Sequence, residues 1–283
     1  MYIVKESEKE LEKFFTYELA PFPLSLFNDD GMRKFVKSSM YKAFEQHSVD
    51  INFGDTMYSI DRGHLLHRGH RHRGESFSFI CNNYVAYVRS KYTPNAIIVF
   101  DGYPEGVANR STKYAERSRR SRRTASVDIL FDETMIPIVS QNKFQGNDAN
   151  KDSLIRMLKT KFEAENFMVK QATEDADTLI INTAMSVSSA FDSVIVVGED
   201  VDLLILLTAL STRSNIYILK PGKGKISQQI YSAKSIIDKT AADHILFLHA
   251  FSGCDTTCAL FNQGKMKFIN VLRKNPNFNE VIQ

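Results

Sequence analysis

Val194-Ile195-Val196-Val197-Gly198-Glu199-Asp200-Val201-Asp202-Leu203-Leu204-Ile205-Leu206-Leu207 is the stretch that decides the fold. Val194 to Val197 is an unbroken β-branched run, the pattern of a strand covered on both faces, and Gly198 ends it just before three acids in four positions. An apolar run resumes at Leu203, so Asp200 and Asp202 stand between a buried strand and a buried helix. In an open parallel sheet the carboxyl ends of the strands form the edge where ligands bind. A solvated acidic turn would look the same when taken alone.

The pattern recurs along the chain. Thr56 to Ile60 reads as a short strand ending in Asp61-Arg62-Gly63, with a helix carrying His64, Leu65, Leu66 and His67 behind it. A helix over Phe77 to Tyr92 leads to a second apolar strand, Asn95 to Phe100, closed by Asp101-Gly102-Tyr103-Pro104, where Gly and Pro favour a turn. Asn150 is placed to cap a helix running to about Asn166; a strand over Phe167 to Gln171 then ends in Glu174-Asp175-Ala176-Asp177 before a helix from about Thr178. Asn215 to Leu219 adds another strand, followed by a Gly/Lys turn at Pro221 to Lys225. A helix over Ala241 to Phe251 delivers Ser252-Gly253-Cys254-Asp255. The alternation of strands and helices predicts an α/β fold with a mostly parallel central sheet flanked by helices.

Seven acids thus fall at ends of elements: Asp61, Asp101, Asp175, Asp177, Asp200, Asp202 and Asp255. Gathered on one face they repel one another, which raises carboxylate pKa values and calls for cations. Oxygen-only ligands suit hard ions, Mg²⁺ or Mn²⁺, rather than zinc. Two such ions about 4 Å apart are suited to phosphodiester hydrolysis. The histidines His64, His67, His70 and His72 suggest zinc only weakly, since no matching acid or cysteine set accompanies them; surface histidines beside a site are the plainer reading.

Composition sets the remaining bounds. With 283 residues and 43% hydrophobic content the chain has material for a sizeable core, and its net charge of +3 says little as a total. No run approaches the roughly 20 apolar residues needed to span a bilayer, and Met1 to Lys13 is charged rather than signal-like. Three scattered cysteines argue for a reducing compartment. These features point to an intracellular protein, nuclear more than cytoplasmic. The basic residues are clustered, above all in Arg110-Ser111-Thr112-Lys113-Tyr114-Ala115-Glu116-Arg117-Ser118-Arg119-Arg120-Ser121-Arg122-Arg123. On a helix Arg110, Lys113 and Arg117 share one side, as backbone-phosphate handling requires, with Arg120 continuing it. A localisation signal or a solvated face would read similarly. Residues 1–55 read as an N-terminal helical extension, with Glu8 to Tyr17 amphipathic, a break at Pro21 and Pro23, and helical spacing from Met32 to Phe44. No chemistry is apparent there, and packing against the main domain, 56–283, or a partner is its expected role.

In motif order these residues resemble the flap endonuclease branch of the PIN-like 5′-nuclease superfamily, over roughly Met57 to the C-terminus. The matching motifs are Ser59-Ile60-Asp61, Phe100-Asp101-Gly102, Asp175-Ala176-Asp177, Glu199-Asp200-Val201-Asp202 and Gly253-Cys254-Asp255. The layout is also similar to flap-nuclease-like proteins of animal genomes, some of them associated with mobile elements. The resemblance implies a divalent-metal-dependent, structure-sensing nuclease acting on DNA, with all seven acids as ligands to two ions. It also implies that Arg110 and Arg117 are phosphate contacts, with Lys113 added on helical spacing. A shortened helix-turn-helix over 256–283 would bring Lys265 and Lys267 to duplex phosphates. Departures from the family pattern are the preceding residues 1–55, Arg62 where a small residue is common, and Asp in place of Glu in the third motif. A PIN-type ribonuclease, or an inactive nucleic-acid-binding scaffold derived from a nuclease, remain the alternatives.

Overall fold

The computed structural model describes residues 22–29, 31–47, 55–68, 74–92, 95–103 and 127–278. The basic run 110–123, most of the N-terminal extension, His70 and His72 lie outside them. A two-stranded antiparallel pair, β1 (Phe27–Asn28) and β2 (Gly31–Met32), precedes a 3₁₀ turn over Lys37–Ala43. The main body then runs β3 (Thr56–Asp61), α1 (Arg62–Arg68), α2 (Phe77–Lys91), β4 (Ala96–Phe100), α3 (Gln141–Gln145), α4 (Asp148–Ala164), β5 (Met168–Gln171), α5 (Asp177–Val187), β6 (Ser193–Val197) and α6 (Val201–Leu210). It closes with β7 (Ile216–Lys220), β8 (Gln229–Ser232), α7 (Lys239–Asp243), α8 (Ile245–Phe251) and α9 (Lys265–Lys274).

The sheet has the order β5-β4-β3-β6-β7-β8, parallel throughout except for β8, which runs antiparallel to β7. Alternation along the strands splits the core in two. Met57, Ile97, Val99, Val194, Val196, Ile216 and Ile218 pack toward α5, α6, α8 and α9, while Tyr58, Ile60, Ile98, Phe100, Ile195 and Val197 pack toward α1, α2 and α4. Both faces are covered, which is why the strands read as continuous apolar runs rather than alternating ones. The chain leaves β3 toward β4 on one side and returns to β6 on the other. The boundary between β3 and β6 is therefore the topological switch point, and the crevice beyond its carboxyl ends is where such folds bind ligands.

Several expectations shift. The helical spacing read over Met32 to Phe44 resolves into β2, an extended stretch and the 3₁₀ turn. The cap of α4 is Asn147, whose side chain accepts from the Asn150 amide at 3.0 Å. Asn150 is buried, accepting from Ile129 N at 2.7 Å and donating to Val127 O at 3.0 Å, so its amide serves a tertiary link instead. The helix expected over Ala241 to Phe251 is broken at His244 into α7 and α8. Residues 31–47 pack into the same body: Ile237 N donates to Ala43 O at 2.9 Å, His47 N donates to Ile230 O at 2.8 Å, and Met40, Tyr41, Ala43 and Phe44 join the core. Among the described residues no helix is long and apolar enough to cross a membrane.

Candidate functional site

Asp61 closes β3 beside Gly198, the residue that follows β6, because Ile60 and Val197 are register partners. A Cβ on Gly198 would lie 2.4 Å from Leu203 Cδ1, so a side chain there would push into α6, and 3.6 Å from Asp61 Cβ, an ordinary contact that shows how near Asp61 lies. Gly63 N and His64 N, at the start of α1, donate to the Asp61 carboxylate at 3.0 and 3.3 Å. Burial nonetheless pushes Asp61 up to about 6, with those backbone hydrogen bonds opposing the shift and Asp101 adding to it.

Asp101 follows β4 by one residue. Gly102 after it admits no side chain, since a Cβ would come 2.1 Å from the Thr173 carbonyl. This close approach, with Gly102 N donating to Glu174 O at 2.9 Å, draws the loop after β5 against the end of β4. Asp101 Oδ1 then accepts from Ala176 N at 3.1 Å, between Asp175 and Asp177. Asp175 is exposed and Asp177 is half-buried in the first turn of α5, where an acid also suits the helix dipole. The other Asp101 oxygen pairs with Arg62 at 2.7 Å, and Arg62 is also hydrogen-bonded to Tyr103.

Asp200 is the N-cap of α6, its side chain accepting from Asp202 N at 3.1 Å. Asp255 arrives on the loop after α8, where Gly253 has φ +92° and no room for a Cβ against Ala259. These three carboxylates converge on one group, the ammonium of Lys37, whose Nζ lies 3.3 Å from Asp200 Oδ2, 2.9 Å from Asp202 Oδ2 and 3.1 Å from Asp255 Oδ1. Lys34 reinforces the arrangement by donating to Cys254 O at 3.1 Å and Asp255 O at 2.8 Å. His249 Nε2 approaches Asp202 Oδ1 at 3.2 Å, near enough for electrostatic contact but not aligned as a hydrogen bond.

Asp200 and Asp202 are not equivalent. Burial raises Asp200, Asp202 beside it adds to the rise, and Lys37 opposes it. Burial would raise Asp202 too, but His249 and Lys37 outweigh it and hold the carboxyl well below the usual range. For Lys37, burial works against the charge, yet Asp200 and Asp202 raise its pKa and keep the ammonium protonated. A cleft of about 360 Å³ opens between Lys37, Asp61, His67, Glu199 and Asp200.

The structure therefore places Asp200, Asp202 and Asp255 around a single cation, Asp61 beside them, and Asp101 with Asp175 and Asp177 as an adjoining group linked through Ala176. Carboxylate oxygens of three acids from two segments around one positive charge are the donor chemistry a hard divalent ion takes. Among the described residues, however, no three His, Cys, Asp or Glu side chains are arranged as a metal-binding group.

Two expectations change. Lys265, expected to meet duplex phosphates, is 1% exposed; its Nζ donates to Gly253 O at 2.7 Å and Ser252 Oγ at 3.1 Å and lies 3.3 Å from His249 Nδ1. Burial lowers it to about 8, with Asp202 opposing the shift. It braces the loop that carries Asp255 and does not face solvent, whereas Lys267, one turn-face away, is exposed. His64, read as a surface histidine, is buried against Tyr92, Nε2 to hydroxyl 3.2 Å, and burial together with the neighbouring Arg68 lowers it to about 4, leaving it neutral. Lys37, Lys34 and His249 were not legible as site residues. Arg62 stood out as unusual, but its pairing with Asp101 did not.

No protein-family model matches the sequence, and no curated protein does. Several solved structures are similar to this chain. Bacteriophage T5 5′-exonuclease with bound zinc ions is 14% identical, with 77% of this chain and 75% of that one covered at a TM-score of 0.49. The catalytic core of Rad2 in complex with a DNA substrate is 14% identical over 78% and 61% at 0.48. Human GEN1 in complex with Holliday junction DNA is 14% identical over 87% and 59%, also at 0.48.

Proposed function

We propose that this protein is a divalent-metal-dependent nuclease that hydrolyses phosphodiester bonds in DNA and senses the structure of its substrate. The observation that carries the reading is the convergence of Asp200, Asp202 and Asp255 on one cation at the switch point of the sheet, with Asp61 alongside. Carboxylates gathered at that edge are destabilising unless a positive charge joins them, so the site is built to hold cations. Mg²⁺ or Mn²⁺, two ions in the proposal, would supply water activation and stabilisation of the leaving oxygen.

In this proposal the residues divide the work. Asp200, Asp202, Asp255 and Asp61 hold the cation at the switch point. Asp101, already steadied by Arg62, holds the loop with Asp175 and Asp177, whose carboxylates complete the ligand set. Arg110, Lys113 and Arg117, with Arg120, grip the backbone phosphates, and Lys267 adds a contact to the duplex. The chemistry at the phosphate does not read the sugar, so a PIN-type ribonuclease would use the same residues.

The test is incubation of the protein with end-labelled flap, duplex and single-stranded DNA and with RNA, in Mg²⁺ or Mn²⁺ and again with a chelator. Metal-dependent cleavage of the flap in preference to linear duplex and RNA is the expected result; cleavage of RNA alone would replace the DNA reading. One feature favours a second reading, an inactive binding scaffold: Lys37 and Arg62 already compensate four of the acids. Retained DNA binding without cleavage of any substrate in either metal would establish that alternative.

A further inference from the structure

The acidic edge carries its own cation, supplied from outside the nuclease-like motifs. Lys37 opens the 3₁₀ turn, and the rest of that turn is fixed. Met40, Tyr41 and Ala43 are buried, Tyr41 donates its hydroxyl hydrogen to Glu199 O at 3.3 Å, and Phe44 bridges to Ile236. The backbone bearing Lys37 is thus held beside α6, while the side chain hangs on a flexible four-carbon stem. A lysine ammonium has three donor hydrogens and no acceptor, and it meets three carboxylates here, each from a different position and all within 3.3 Å. An ammonium and a divalent ion cannot share that space, since both need the same oxygens.

We propose that Lys37 is a resident competitor for the divalent ion: its ammonium occupies the position enclosed by Asp200, Asp202 and Asp255, and an ion enters only as Lys37 leaves. This rests on the reading of the acidic edge as a metal site and adds its regulation. The segment 31–47 then has a function beyond packing, because it sets the ion concentration at which the site fills. Three negative charges against one ammonium leave a net attraction for a doubly charged ion, so exchange is favourable at sufficient concentration. Until then the lysine relieves the repulsion that the empty cluster would suffer. If the arrangement with Lys37 displaced is populated about one tenth of the time, removing the competitor tightens ion binding about tenfold.

The experiment is calorimetric titration of Mn²⁺ into the chelator-stripped full chain, comparing the unaltered protein with Lys37→Met, Lys37→Gln and Lys37→Arg, each with and without Asp200→Asn. Thermal melts of the same proteins with and without Mn²⁺ run in parallel. The expected result is binding at least about tenfold tighter in Lys37→Met and Lys37→Gln, little change in Lys37→Arg, and loss of the gain when Asp200→Asn is added. Both neutral variants melt below the unaltered protein without Mn²⁺ and recover with it, which a lysine with a purely structural role would not produce. Equal Mn²⁺ affinity with and without Lys37, abolished by Asp200→Asn in both, would overturn the competitor and leave the metal site standing. Absence of Mn²⁺ binding in every folded variant would overturn both.

Discussion

Asp61 at pH 7 is an ionised carboxylate in a place that resists ionisation, since burial pushes its pKa from 3.8 up to about 6. The folded protein therefore holds this proton more tightly than the unfolded chain does. Between 3.8 and about 6 the folded state binds more protons, so this group's contribution to stability falls as pH rises through that window and stays lost above it. Asp202 has the opposite sign: its depressed pKa contributes stability at neutral pH that is lost on acidification. Asp61→Asn keeps an oxygen for the Gly63 amide and removes the ionisation. In chelator-treated protein it should stabilise by on the order of 3 kcal/mol at pH 7 and by little at pH 4. Urea unfolding of both proteins across that range checks this, and a pH-independent difference would contradict the assignment.

The two lysines of α9 make different claims at the level of the element. Lys265 is the first residue of the helix but points back under the Gly253 loop, so Lys265→Met should cost about 2–4 kcal/mol by leaving buried acceptors unpaired. Lys267→Ala should leave stability within about 0.5 kcal/mol and weaken binding of duplex-containing substrates only. Chemical denaturation and duplex binding of the two variants separate these outcomes. The sequence alone showed two lysines near a helix start and could not show which was inside, because that depends on where α8 lies. The basic run 110–123 carries a further prediction. Replacing Arg110, Lys113 and Arg117 with Ala should lower the slope of log affinity against log salt by about 0.7 to 0.9 per lost phosphate contact. An unchanged slope would assign the run to a solvated face or a localisation signal.

Across the whole molecule, what could be read from sequence was what local pattern determines. Strands buried on both faces leave continuous apolar runs, and an acid with a glycine within two residues marks the end of each, so β3, β4 and β6 with Asp61, Asp101 and Asp200 were legible. β8 was not, being half-buried and short, and α7 and α8 merged because an apolar run does not reveal a break at His244. Lys37 was illegible for a different reason. It meets Asp202 across a separation of 165 residues, and nothing in a lysine among helix-compatible neighbours marks it as the partner of an acid so distant. Yet that contact shapes the site, since it shows a cation position where sequence showed only acids. The central claim is that these acids exist to hold metal for cleavage, and Asp200→Asn tests it most directly. Cleavage of a labelled flap substrate in Mg²⁺ and binding of the same DNA are measured for both proteins. The expected result is loss of cleavage by at least about a thousandfold with binding changed by less than about fivefold. Full turnover by Asp200→Asn would contradict it.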